Sequence, residues 1–256
     1  MAEKRSNGEV PNGSAQRLLS LIQCFTRRRP SLTARELSDM TGIALPTVYR
    51  YLSVLKQSGL VIADDGQGEY HLSVRFVGLA EAAEAADPLI ELADPVMREL
   101  AAETGETVLL VRAAGQAAMC VHRIESLHHL RTSYEPGQPV PLDRGASARI
   151  LIGAMPSRVR HAVIDSLAKV DAEAARRLKT GVELAASRGW ATSAGELDNG
   201  IWATAAAIRG TEGEVVAALS VPAPAARTSE PIKARILDEV RAAADRVTQI
   251  LATTAR

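Results

Sequence analysis

LTARELSDMTGIALPTVYRYLSVLKQSGL, from Leu32 to Leu60, carries the spacing of two short helices joined by a tight turn. Thr33 stands three residues before Glu36, which makes a capping box for the first helix. Leu37 and Met40 give that helix an apolar face, with small Ser38 where two helices would cross closely. Gly42 supplies the turn, because only glycine takes a positive φ there without a steric penalty. Ile43 follows as a core plug. A second helix starts near Leu45, with Pro46 in its first turn, where no intrahelical N–H is lost. Val48, Leu52 and Leu55, with Tyr51 beside them, form a buried stripe and leave Thr47, Tyr49, Arg50, Ser53 and Lys56 outward. Gly59 closes the helix as its C′ residue. The outward side chains include donors suited to phosphates and base edges in a major groove. Thr33, Arg35 and Pro46 complete the candidate DNA-contacting set, although a proline offers no donor, so the weight falls on Thr47, Tyr49 and Arg50.

An ordinary helical hairpin would share the capping box and the stripe. The next residues separate the two readings. Leu60–Ile62 reads as a strand, Asp64–Gly68 as a turn and Glu69–Leu72 as a second strand, the pattern of a winged helix. Asp64 and Asp65 make the wing tip acidic, so recognition is expected from the helix more than from the wing.

The 256 residues suffice for two domains, and 30 basic residues balance 30 acidic ones. The balance is not uniform along the chain. Between Ser14 and Leu60, Arg17, Arg27, Arg28, Arg29, Arg35, Arg50 and Lys56 face only Glu36 and Asp39, a local net of +5. One basic surface in a neutral chain points to nucleic acid rather than to a wholly cationic protein. Cys24 and Cys120 are too few for a disulfide framework. No signal sequence or bilayer-length apolar run is visible, so the expectation is a cytoplasmic protein with no membrane partner.

The chain divides by pattern into a disordered leader (1–13), a winged helix-turn-helix domain (14–73), a linker helix (74–87) and a larger domain (88–256). Ser14–Thr26 reads as the first helix. Phe76, Val77, Leu79 and Ala80 give the linker an apolar stripe that hints at dimerisation. Asp87 is placed as the N-cap of the next helix, which runs to Thr104. Beyond it, strands are expected at Thr107–Arg112, Ala117–Arg123, Leu130–Tyr134, Trp190–Ser193, Ala203–Arg209 and Val215–Val221. Helices are expected after Gly145, at Arg158–Leu167, at Asp171–Arg188 and from Pro231 to about Leu251, with Gly137–Pro141 a loop. Helices interleaved with a mostly antiparallel sheet define an α+β class.

These segments resemble the IclR family of bacterial transcriptional regulators. The likeness runs from about 14 to 252 through LADPVMRELAAETGETV (Leu92–Val108), HRIES (His122–Ser126), GQPVPLDRGASARILIGAMP (Gly137–Pro156), RGWATSAGELDNGIWATAAAIRG (Arg188–Gly210) and VVAALSVPAPAAR (Val215–Arg227). The resemblance implies an N-terminal winged helix-turn-helix, a linker helix and a C-terminal GAF-like α/β effector-binding domain. It further implies a homodimer or dimer of dimers on a palindromic double-stranded DNA operator, responsive to a small organic acid. The expected function is therefore a ligand-responsive repressor of a catabolic or metabolic operon.

By the same resemblance the effector pocket involves Ala146, Ser147, Ser193, Ile201, Trp202, Ala203 and Ser220, with His129 and Thr132 on its other side. A physical reason supports the first two, since backbone N–H groups at Ala146–Ala148 would sit at a helix N-terminus, a ready carboxylate site. Ala203 replaces a frequent cysteine, Ser193 an acid, Pro222 a serine and Trp202 an arginine. Those changes favour a larger or more apolar acid, aromatic acids among them, over a two- or three-carbon keto acid. The alternative is that Ser193, Ile201 and Ala203 simply fill a sheet.

Three other classes compete for these residues. Cys120 and His122 at i, i+2 would share a strand face, with His128, His129 and Asp143 near in sequence, yet no tight zinc pairing such as CxxC appears; no metal or cofactor is assigned. Asp143, Ser147 and the His128-His129 pair lack an activating frame such as GxSxG, and no phosphate loop is present, so an enzyme is not expected. A DNA-binding protein without any effector remains the competing reading, against which stands the size of the C-terminal domain.

Overall fold

The computed structural model describes residues 13–26, 28–64, 66, 68–86, 88–114, 117–129, 134, 136–137 and 139–254. They form two compact units divided at Asp87/Pro88. The leader expected at 1–13, the Asp87 cap and most of the Leu130–Tyr134 strand lie outside the described residues; Gly13 precedes the first helix, and Tyr134 is described but not as strand.

In the first unit, α1 (Ser14–Ile22) ends four residues earlier than its apolar pattern suggested. A short strand β1 (Ser31–Thr33), absent from the sequence reading, leads into α2 (Ala34–Thr41). Next come α3 (Leu45–Gln57), β2 (Val61–Asp64), β3 (Glu69–Leu72) and α4 (Arg75–Ala85). The strands pair antiparallel in the order β1-β3-β2. Leu37, Val48, Leu52 and Leu55 are sealed in one core with Leu21, Leu32 and Val61, each such side chain contributing roughly 1.5–3 kcal/mol.

The second unit comprises α5 (Leu89–Thr104), β4 (Val108–Ala114), β5 (Ala117–Ile124), β6 (Pro139–Val140), α6 (Ala146–Ala154), α7 (Ser157–Ala168), α8 (Ala172–Arg188), β7 (Trp190–Ala194), β8 (Ile201–Arg209), β9 (Val215–Pro224) and α9 (Glu230–Thr254). The expected loop at Gly137–Pro141 thus contains an edge strand. All pairings are antiparallel, in the order β6-β5-β4-β9-β8-β7. Both faces of this sheet are covered. On one, α5 and α9 bury Trp202, Ala206, Ile208, Leu219 and Val221. On the other, α6 and α8 bury Leu109, Val111, Ala203, Ala205, Ala207 and Ala218.

Two polar features hold this unit together. Glu106, only 4% exposed, receives Arg227 in bidentate fashion, Nε to Oε1 and Nη2 to Oε2 at 2.6 Å each. The pair joins the end of α5 to the turn after β9, and it raises the Arg227 pKa above its ordinary value. His122 Nε2 lies 2.8 Å from Asp94 on α5. Hydrogen bonds from Arg98 first, and from His122, hold that carboxyl below the usual range.

The β4–β5 register corrects one expectation. Leu110 pairs with His122 but Val111 pairs with Cys120, so Val121 is inserted as a bulge. The insertion breaks the alternation. Cys120 is buried on the α6 face, while His122 reaches α5 on the opposite face. The two are not co-facial, and among the described residues no three His, Cys, Asp or Glu side chains are grouped to hold a metal. Nor is any described helix long and apolar enough to cross a membrane.

Candidate functional site

The α2–α3 element is assembled by its own short-range chemistry. The Thr33 hydroxyl accepts from the Glu36 N–H at 3.2 Å, while Glu36 Oε2 accepts from both the Thr33 N–H and its hydroxyl at 2.8 Å. The backbone bond and then the hydroxyl hold the Glu36 carboxyl below its ordinary pKa. The Thr33 hydroxyl proton is therefore engaged in the cap. Gly42 takes φ 68° and donates to Ser38 O, while the Ser38 hydroxyl donates 2.7 Å to Ile43 O, locking the turn.

Helix α3 presents Pro46, Tyr49, Arg50, Ser53 and Lys56 to solvent, with Thr47 half-buried and Tyr49 53% exposed. Arg35 on α2 is exposed as well. Arg50 lies 5.3 Å from the Tyr51 ring centre, a cation–π contact that stiffens the guanidinium where a base or phosphate would meet it. At the other end, Leu60 N–H reaches Leu55 O around left-handed Gly59. The buried Ser73 hydroxyl donates to Gly59 O at 2.6 Å and Arg75 donates to Ser58 O at 3.0 Å, so the last turn of α3 is fastened to the first turn of α4.

The second candidate site is a cavity on the α6 face of the larger sheet, with about 500 Å³ of free space including its mouth. Its floor crosses four adjacent strands. Ser193 on β7 pairs with Ala203 on β8, Ala203 with Pro222 on β9, and Ser220 on β9 with Leu109 on β4. Its wall is the start of α6, from Gly145 to Ala148. Gly145 takes φ 93° and provides no side-chain cap, leaving the N–H groups of Ala146, Ser147 and Ala148 without intrahelical partners. Ser147 and Ser193 are each 8% exposed, and among the described residues neither hydroxyl has a protein partner. The Ser220 hydroxyl donates 2.9 Å to Thr204 O, so it retains acceptor capacity only.

Ala146, Ser147, Ser193, Ile201, Ala203 and Ser220 thus come together as expected. Three named positions differ. Trp202 is 6% exposed but buried against α5 and α9, because strand alternation turns it away from Ile201 and Ala203. His129 is exposed and does not line the cavity. Thr132 lies outside the described residues.

Sequence reasoning missed Tyr134, Arg144, Glu196 and Leu197, which also line it. Leu197 was the legible one, an apolar residue inside the polar run between Gly195 and Gly200. A Cβ on Gly145 would stand 2.9 Å from Leu197 Cδ1, so a glycine is required beneath it. Arg144 pairs with neighbouring Asp143 at 2.8 Å. Tyr134 is pushed up to about 12, first by burial and then by the Asp198 carboxylate. The resulting stability is present below about pH 10, where the unfolded chain still keeps its phenol proton, and is lost as pH rises through about 12. The ultraviolet phenolate titration of the wild type minus that of Tyr134→Phe should accordingly have its midpoint near pH 12; a midpoint near the ordinary tyrosine value would mean a solvated ring.

Comparisons with known proteins cover nearly the whole chain. Residues 82–249 match the family model described as bacterial transcriptional regulator IclR C-terminal, and residues 14–65 match the IclR helix-turn-helix domain. The HTH-type transcriptional regulator KipR of Bacillus subtilis is 27% identical over 95% of this chain and 98% of its own. The solved structure of an IclR transcriptional regulator from a Silicibacter species superposes with TM-score 0.80 at 24% identity, covering 94% and 96% of the two chains. An IclR homolog from Microbacterium hydrocarbonoxydans, solved in complex with 4-hydroxybenzoate, gives TM-score 0.76 at 20% identity over 94% of this chain and 100% of the other.

Proposed function

The chain belongs to the IclR family of bacterial transcriptional regulators, and from that premise we propose that it is a ligand-responsive repressor whose effector is an organic, aromatic-class carboxylic acid. The observation that carries the reading is the polar inventory of one otherwise apolar cavity. Among the described residues, the three N–H groups at the head of α6 have no intrahelical partner and the hydroxyls of Ser147 and Ser193, which line the same cavity, have no protein partner. Polar groups sheltered from water need partners, and a carboxylate offers about four acceptor sites to such donors at the positive end of a helix. Leu109, Val111, Ile201, Ala203 and Pro222 suit an apolar body attached to that carboxylate. The aromatic ligand seen in the Microbacterium relative belongs to that protein, and it directs the first screen here.

Helix α3 reads the operator in this proposal. Val77 and Leu79 on α4 are 60% and 56% exposed, and a second copy of the chain would cover them. A two-fold dimer, or a pair of such dimers, matches a palindromic site whose half-sites lie about one helical turn apart. The effector changes occupancy only by binding one arrangement of the assembly better than the other.

Two measurements test this. Arg50→Ala should weaken operator binding in a gel-shift assay by about 1–3 kcal/mol; unchanged affinity would sink the recognition-helix assignment. A thermal-shift screen against aliphatic and aromatic carboxylic acids should find a stabilising acid, worth about 2.7 kcal/mol at a hundred times its Kd. Silence across the panel would favour a regulator without a small-molecule effector.

A further inference from the structure

Among the described residues Glu196 is the one carboxylate that lines the cavity, and its hydrogen bonds hold it there. Oε2 accepts from the Gly145 N–H at 2.9 Å, and Oε1 accepts from Arg149 Nη2 at 2.6 Å. Arg149 is itself held. Its side chain is 12% exposed, Nη1 donates to Thr192 O, and a Cβ on Gly181 of α8 would stand 2.5 Å from Nε. Behind Glu196, Leu197 packs over Gly145. The carboxylate is thus paired with a largely buried guanidinium that packs against Gly181, and it stands at the wall of the cavity.

We propose that Glu196 makes this pocket select acids bearing a second, proton-donating group, a hydroxyl or an amine, over the same acids without it. The proposal rests on the effector reading above. A carboxylate offers about four acceptor sites; among the described residues two hydrogen bonds reach this one, so acceptor capacity remains on a side chain that lines the cavity. It has no proton to give. An effector carboxylate placed against it meets a like charge, and a hydrocarbon placed against it strips its water without replacement. A ligand hydroxyl donates to it and avoids both costs. The effector's own carboxylate then lies at Ala146–Ala148, and the Ser147 and Ser193 hydroxyls, able to donate or accept, serve either group. A hydrogen bond to a charged acceptor in a sheltered site corresponds to roughly 10- to 100-fold in affinity.

The test is isothermal titration of the full-length protein with benzoate, phenylacetate and butyrate, each beside its hydroxylated counterparts. In the wild type at least one hydroxylated acid should bind about 10- to 100-fold more tightly than its parent. Glu196→Ala should bring the two within about threefold by removing the acceptor. The double variant Arg149→Met with Glu196→Met removes both charges at similar volume and should do the same, with circular dichroism melts checking that each variant folds. Parent acids binding as tightly as hydroxylated ones, or a preference that survives both variants, overturns the proposal. If those parent acids are displaced by Ser147→Trp, the pocket itself stands and only the selectivity falls. If no acid of either kind binds, both readings fall together.

Discussion

Replacing Ser147 by Trp is expected to abolish the response to effector while leaving operator binding as it was. Ser147 is the second residue of α6, nine-tenths buried, and its side chain faces the cavity. An indole there fills the space above Ala203 and Ser220 and screens the N–H groups of Ala146–Ala148 from any ligand. Two charge-assisted hydrogen bonds lost at roughly 1.5–3 kcal/mol each correspond to about 10²- to 10⁴-fold in affinity. The helix-turn-helix lies in the other compact unit, so its fold and its grip on DNA should not change. Ser147→Leu, a smaller intrusion, should lower affinity in the same direction should the indole disturb α6. A response retained by both variants in an effector-dependent gel shift would move the pocket elsewhere.

The second large effect concerns stability. Arg227→Met leaves Glu106 buried without its bidentate partner, and breaking such a pair costs about 3–5 kcal/mol. Replacing both partners, Glu106→Leu with Arg227→Met, should recover most of the loss, because an apolar pair of similar volume removes the stranded charge. The protein's two tryptophans, Trp190 and Trp202, both lie in the second unit. Urea denaturation followed by their fluorescence therefore reports on this unit directly. A single variant as stable as the wild type would show that solvent reaches Glu106 in spite of its 4% exposure.

What the sequence made legible was local. The cap at Thr33 and Glu36, the turn at Gly42, the first-turn Pro46 and the stripe from Val48 to Leu55 are decided within a few residues, and the structure has each of them. The edge strand Pro139–Val140 and the bulge at Val121 are decided by partner strands, and a two-for-one insertion leaves no mark on the inserting sequence. Glu196 escaped for the same reason, since its partners Gly145 and Arg149 are 51 and 47 residues away. Trp202 is different. The expected strand began at Ala203, whereas β8 begins at Ile201, and the two added residues bring Trp202 into the alternation that turns it away from Ile201 and Ala203. Which residues contact operator or effector was legible only as chemistry waiting for a partner.

Beyond Ile201, strand β8 offers α6 nothing larger than a methyl group: Ala203, Ala205 and Ala207 follow on that face. On the reverse, Trp202, Ala206 and Ile208 bear directly on α5 and α9. The partition between that cavity and the rear helices is therefore one strand thick, and from Ala203 to Ala207 its cavity-side residues are too short to bend and absorb a push. Close-packed interiors pass strain along instead of dissipating it. Enlarging Ala203, which lines the cavity, would act as a permanent wedge, pressing on the rear helices in one direction and filling the cavity in the other.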